Sequence, residues 1–130
     1  MENTTKTKHK VAKAVLAMYP AIQGHIDTQM KRNYLRAMGG FNNVVDTQTL
    51  MERIIDKAYQ IQRLHNLKLK VEQRLEKMPT TLRTALTMAH FENLSAIEIA
   101  ERMGVSVRTA FRYTAQALDW FANGIEKMAS

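Results

Sequence analysis

Cysteine is absent from the 130 residues. That absence excludes a disulfide framework, a thiol nucleophile and a cysteine zinc site, and it fits a reducing cytoplasm. Only two prolines and five glycines interrupt the chain. Apolar residues recur at three and four and do not alternate, so strands are not expected. No apolar run approaches the roughly 18 residues that would span a bilayer. Residues 1–13 are basic and polar and lack the apolar stretch of a signal peptide, so export is not indicated. The four histidines, His9, His25, His65 and His90, include no pair three or four apart. A helical two-histidine metal site is therefore not written here, and the histidines read as surface or half-buried helix residues. No metal, cofactor or catalytic residue is expected. There is no glycine-rich phosphate loop, and Asp27, Asp46, Asp56 and Asp119 are scattered rather than paired. No serine or threonine stands in a recognisable arrangement with a histidine.

What is present is basic charge and helical periodicity. The net charge is +7, and an excess of that size in a small soluble chain points to an anionic partner, nucleic acid first. The excess lies early: residues 1–45 carry +5, residues 46–78 carry +2, and residues 79–130 are neutral. Lys6, Lys8, Lys10 and Lys13 are followed by no acid before Asp27, and Lys31, Arg32 and Arg36 form a second cluster. Both read as solvated residues or as phosphate binders. The nine methionines read as core filler.

The spacing predicts an all-α fold with long N-terminal helices. A first helix runs from about Lys6 to Met18, and Pro20 either kinks it or starts another. The pattern resumes through Ile22, Ile26, Met30, Tyr34 and Leu35, and Gly39-Gly40 ends it. Residues 39–45 read as a loop. Asp46 is the N-cap candidate of the clearest element. From Leu50, the residues Ile54, Ala58, Ile61, Leu64, Leu67, Val71, Leu75 and Met78 step by 4, 4, 3, 3, 3, 4, 4 and 3. That is the period of a coiled-coil seam. Its partner is either the N-terminal helices, in a helical hairpin, or the same helix of a second chain in a homodimer. Pro79 stops this helix or opens the next. Three shorter helices then follow over Thr80 to Phe91, Ser95 to Met103, and Ser106 to about Lys127. The expected organisation is a basic helical region over 1–78, for self-association or docking, and a DNA-binding domain over 79–130.

The stretch from Leu94 to Tyr113 carries the functional signal. Ser95 caps a short helix and Glu98 completes a capping box. Ile97, Ala100 and Met103 are expected to face inward. Gly104 supplies a left-handed turn, Val105 plugs the core, and Ser106 caps the second helix. Ala110, Ala117 and Leu118 continue the inward face. This is the order that a helix-turn-helix requires. The second helix would present Arg108, Thr109, Arg112, Tyr113 and Gln116 to base edges, since arginine pairs with guanine and glutamine with adenine. Arg102 and the backbone amides at Ser106 are candidates for phosphate contact. No acid interrupts Ser106 to Leu118. Tyr113 is either contact or core. Phe111 packs against Trp120 or the preceding helix, or else is a partner-binding aromatic or a base-stacking wedge. Leu118, Trp120 and Phe121 look like the anchor of the last helix.

"LSAIEIAERMGVS" resembles the fourth conserved region of bacterial sigma factors, and "LRTALTMAHFEN" resembles its lead-in helix. "VSVRTAFRYTAQAL" is closer to the phage late-operon transcription activators of the ArpU/RinA type. The resemblance covers about 40 residues. Phe111 stands where many sigma factors carry a polar or basic residue, and no segment resembles the sigma region that opens the promoter. It implies a cytoplasmic, sequence-specific transcription regulator of phage or prophage origin, not a complete sigma factor. Its expected partners are double-stranded DNA, RNA polymerase and a second copy bound through the 46–78 helix, with no membrane. Two alternatives stand beside it: a small terminase subunit that recognises DNA for packaging, and a sigma-like module that binds RNA polymerase without touching bases.

Overall fold

The computed structural model describes residues 2–39 and 46–125, with side chains from residue 6 onward. The expected loop over 40–45 and the end of the last helix near Lys127 lie outside the described residues. Five α-helices account for nearly all of what is described: α1 Glu2–Gly39, α2 Thr47–Lys77, α3 Thr80–Leu86, α4 Ala96–Met103 and α5 Val107–Asn123. Among the described residues there is no strand.

α1 is one helix rather than two segments divided at Pro20, which lies inside it. Proline removes the amide that would bond to the carbonyl of Leu16 and crowds that turn. The flanking turns are each held by burial, Leu16 before the proline and Ile22 and Ile26 after it. Packing of an apolar face, more than propensity, maintains a helix of this kind. α2 begins as expected: the Asp46 carboxylate accepts from the Thr49 amide at 2.9 Å and from its hydroxyl at 2.7 Å. These bonds hold the Asp46 carboxyl below its ordinary pKa.

The chain packs as two compact units, residues 1–20 with 70–130, and residues 21–69. This grouping differs from the boundary expected at 78/79. The physical reason lies in α1: Ala12 and Leu16 are fully buried, and the Tyr19 ring lies 5.4 Å from that of Phe91. The start of α1 and the end of α2 are therefore part of the same body as the C-terminal helices.

In the 21–69 unit, α1 and α2 form an antiparallel hairpin. Asn33 donates to the Ile54 carbonyl at 3.2 Å, while His25 and Gln29 lie across from Lys57, Gln60, Ile61 and Leu64. Within this unit, the α2 stripe thus meets α1. Ala58 is nevertheless exposed, and Ile54, Ile61 and Leu64 are only half-buried. Methionine is not core filler throughout: Met18, Met30, Met38 and Met51 are exposed, and Met78 is buried.

In the other unit, α3 and α4 pack on α5. The segment expected as one helix over Thr80 to Phe91 changes pitch. α3 passes into a π-turn at Thr87–Phe91, closed by Glu92 N–H donating to the Thr87 carbonyl at 3.0 Å. Asn93 follows at φ +55°, a left-handed position that asparagine tolerates better than most residues.

Candidate nucleic-acid interface

The turn between α4 and α5 follows from four residues. The Ser95 hydroxyl accepts from the Glu98 amide at 3.3 Å, and the Glu98 carboxylate accepts from the Ser95 amide at 3.2 Å. Those bonds lower the Glu98 pKa. Gly104 adopts φ +68°, where a side chain is strained, and ends α4. The Ser106 hydroxyl then accepts from the Thr109 amide at 3.1 Å and starts α5. Beneath the turn lies a small core of Ile99, Ala100 and Ala110, against which Met88, Ala89, Leu94, Met103 and Val105 pack.

One inward residue differs from expectation. Ile97 is 60% exposed, and Ile99 is buried in its place. On a helix advancing 100° per residue, Ala96, Ile99, Ala100 and Met103 share one face and Ile97 stands about 100° to the side. Ala100 and Met103 do face inward, as do Ala110, Ala117 and Leu118.

α5 divides its surface cleanly. Arg108, Arg112 and Gln116, at intervals of four, are exposed on one arc. Thr109 and Tyr113 are half-buried along its edge, and the Arg112 guanidinium lies 5.7 Å from the Tyr113 ring centroid. Ser106 is exposed, but its hydroxyl is engaged with Thr109. Arg102 lies on α4, away from this arc, in an exposed ion pair with Glu92 at 3.3 Å. Such pairs contribute little and break readily in favour of a phosphate. Phe111 does not pack on Trp120 or on the preceding helix; it is 63% exposed. With Val107, one turn earlier and also exposed, it forms an apolar border to the arginine arc.

Trp120 is covered by Arg74 of α2, a contact that spacing alone did not indicate. The guanidinium lies 3.6 Å above the indole ring and donates to the Trp120 carbonyl. Its Nε is buried without a partner among the described residues, and burial lowers the Arg74 pKa. A Cβ on Gly124 would meet this side chain, which would have to shift from its place over the indole. The start of α1 was also missed as part of this body. His9 Nε2 meets the Asp119 carboxylate of α5 at 2.5 Å, and Lys13 stands near His90 of the π-turn. The signal available was the Ala12–Leu16–Tyr19 step, which repeats at four and three.

With this geometry in hand, residues 68–120 match the family model described as Sigma-70, region 4. The match begins in α2 and ends in α5, so it takes in the Arg74–Trp120 contact as well as the turn. The C-terminal part of the chain is a sigma region 4-like helix-turn-helix, a DNA-binding module with a transcription-related role. Neither the curated proteins nor the solved structures contain a match to the chain. Among the described residues no helix is long and apolar enough to cross a membrane.

Proposed function

We propose that the protein is a sequence-specific, DNA-binding transcription regulator of phage or prophage type, acting in the cytoplasm, and not an enzyme. One observation carries this reading: α5 holds Arg108, Arg112 and Gln116 exposed on a single arc, behind a capped N-terminus and with no acid before Asp119. An arc of this kind enters the major groove, where arginine pairs with guanine and glutamine with adenine. The free amides at the start of α5 and the Arg102 guanidinium face phosphate. Phe111 meets a thymine methyl at the border of the arc. The test is selection of bound sequences from random duplex DNA with the wild type and Arg112→Ala. A base contact predicts a loss of about 1–3 kcal/mol confined to one base position. A uniform loss across all sequences would make Arg112 a phosphate contact and undo the assignment.

A second reading, docking on RNA polymerase, is favoured by the exposed apolar side chains Ile97, Val107 and Phe111 on α4 and α5. It predicts that Phe111→Ser abolishes polymerase binding and leaves DNA binding intact.

The regulator works as a homodimer through the 46–78 helix, at the edge of its stripe that α1 leaves uncovered. Met30, Tyr34 and Met38 of α1 and Met51, Ile55 and Tyr59 of α2 are each more than half exposed. Met30 and Tyr34 line an apolar groove of about 330 Å³ together with Asn33, Ala37, Ile54, Ala58 and Ile61. Asp27, Glu52 and Asp56 lie on the same two helices as Lys31, Arg53 and Lys57. Charges of both signs around an apolar centre suit a second copy related by a two-fold axis.

A further inference from the structure

Residues 79–130 have no net charge, although backbone phosphates supply much of the affinity of a DNA reader. The compact unit that contains the helix-turn-helix is charged differently. Counting residues 1–20 and 70–130, it has twelve Lys/Arg against eight Asp/Glu, a net +4. The largest share of that excess comes from the start of α1.

The packing fixes where that charge points. Ala12 and Leu16 are fully buried, so they mark the inner side of α1 in this unit. At 100° per residue, Lys6, Lys10 and Lys13 fall on one stripe, and His9 lies between that stripe and the buried side. All three lysines are exposed. His9 reaches Asp119, so the edge of α1 that leads to the lysines is the edge turned toward α5. Asp119 in turn continues the exposed arc of Arg108, Arg112 and Gln116. It is the only acid on that arc among the described residues, and His9 occupies its carboxylate. Asp119 stands seven positions after Arg112, about 10 Å of axial rise, comparable with the ~12 Å width of the major groove.

We propose that Lys6, Lys10 and Lys13 form a phosphate-binding strip that grips the DNA backbone beside the groove read by α5. The docking of the first half of α1 on the helix-turn-helix holds the strip in place. This rests on the assignment of α5 as the reading helix. The strip adds affinity without adding sequence preference, because phosphates carry no base information.

The test uses the full-length protein, its selected duplex and fluorescence anisotropy between 50 and 200 mM salt. Replacing Lys6, Lys10 and Lys13 by alanine should lower the slope of log K against log salt by about 2–3, close to 0.9 per phosphate contact. The preferred sequence should stay the same. A companion variant keeps the net charge: it carries the same three alanines and places lysines at Val11, Ala14 and Met18. These positions are exposed and lie about a third of a turn away. It should not recover the slope. Full recovery would mean that a diffuse basic tail suffices, and would overturn the strip. So would an unchanged slope in the triple-alanine variant with a native circular dichroism spectrum. If the wild type shows no salt-dependent DNA binding, the strip and the reading-helix assignment fall together. If it binds selectively and only the triple-variant result fails, the strip alone falls.

Discussion

Ile97 and Ile99 stand two positions apart on α4, and only the second is in the core. Burial of Ile99 at 2% exposure contributes roughly 2–3 kcal/mol by area removed from water, and its removal also leaves a cavity. Ile99→Ala is therefore expected to cost about 2–5 kcal/mol in urea unfolding. Ile97→Ala should stay within about 0.5 kcal/mol. Equal losses at the two positions would mean that α4 is rotated from the phase described here. The contrast also shows what a sequence can hide at this scale. Ile97 and Ile99 have the same side chain; Ile97 stands three positions before Ala100 and Ile99 four before Met103, so each has a helical spacing to the inward face. The phase is decided by which of them meets Ala110 across the turn, a contact eleven residues distant from Ile99 and absent from the local pattern. The caps carry no such ambiguity. Ser95, Glu98, Gly104 and Ser106 act on amides and dihedrals within three residues of themselves, so their roles were legible directly.

At the scale of elements, the π-turn at Thr87–Phe91 is where the helix-turn-helix receives α1. His90 lies in this turn, and burial, together with the charge of Lys13, lowers its pKa below the ordinary imidazole value near 6.5. The neutral ring is thus the form the fold accepts. As pH falls through about 6.5, the unfolded chain takes up the proton first. The stability tied to neutral His90 is complete above that point and erodes as the pH drops toward the folded value. The melting temperature should fall between pH 7.5 and pH 5.5, and His90→Gln should remove part of that fall. Identical falls in wild type and variant, followed by circular dichroism, would dismiss the effect. Spacing predicted a helix over Thr80–Phe91, and a helix is there, but its widened last turn was not foreseeable. A π-turn inserts one residue into an otherwise ordinary apolar pattern, and its Phe91 packs on Tyr19, 72 residues away in sequence. Pro20 shows the same rule in reverse. Local chemistry left a kink or a new helix open, and the helix continues through Pro20, with Leu16 and Ile22 buried on either side of it.

At the scale of the whole molecule, one question is where a second copy would sit. The α2 stripe from Leu50 to Met78 has the spacing of a dimeric coiled coil, yet periodicity alone cannot say whether its partner is in the same chain. Within residues 21–69, α1 takes that place, and an apolar groove lined by Met30, Tyr34, Ile54 and Ile61 remains open, with Met51 and Tyr59 exposed on α2. Monomeric proteins seldom expose contiguous apolar patches much beyond ~600 Å² without a use for them. A dimer would give a neutral reading head two half-sites, so that the second engagement becomes intramolecular and affinity rises without new base contacts. Tyr59→Glu places a carboxylate within the proposed contact, and two-fold symmetry places it there twice. Burying such a charge unpaired costs at least about 2 kcal/mol per copy, so dimer affinity should weaken on the order of a hundredfold or more. Tyr59 is 70% exposed in the single chain, so the variant should fold normally. Sedimentation equilibrium should therefore show a dimer for the wild type and a monomer for Tyr59→Glu, with a single half-site still recognised by Arg112. A wild type that sediments as a monomer, with or without DNA, removes the second copy from the mechanism and leaves the apolar face to another protein. A Tyr59→Glu protein that remains dimeric would place the contact elsewhere.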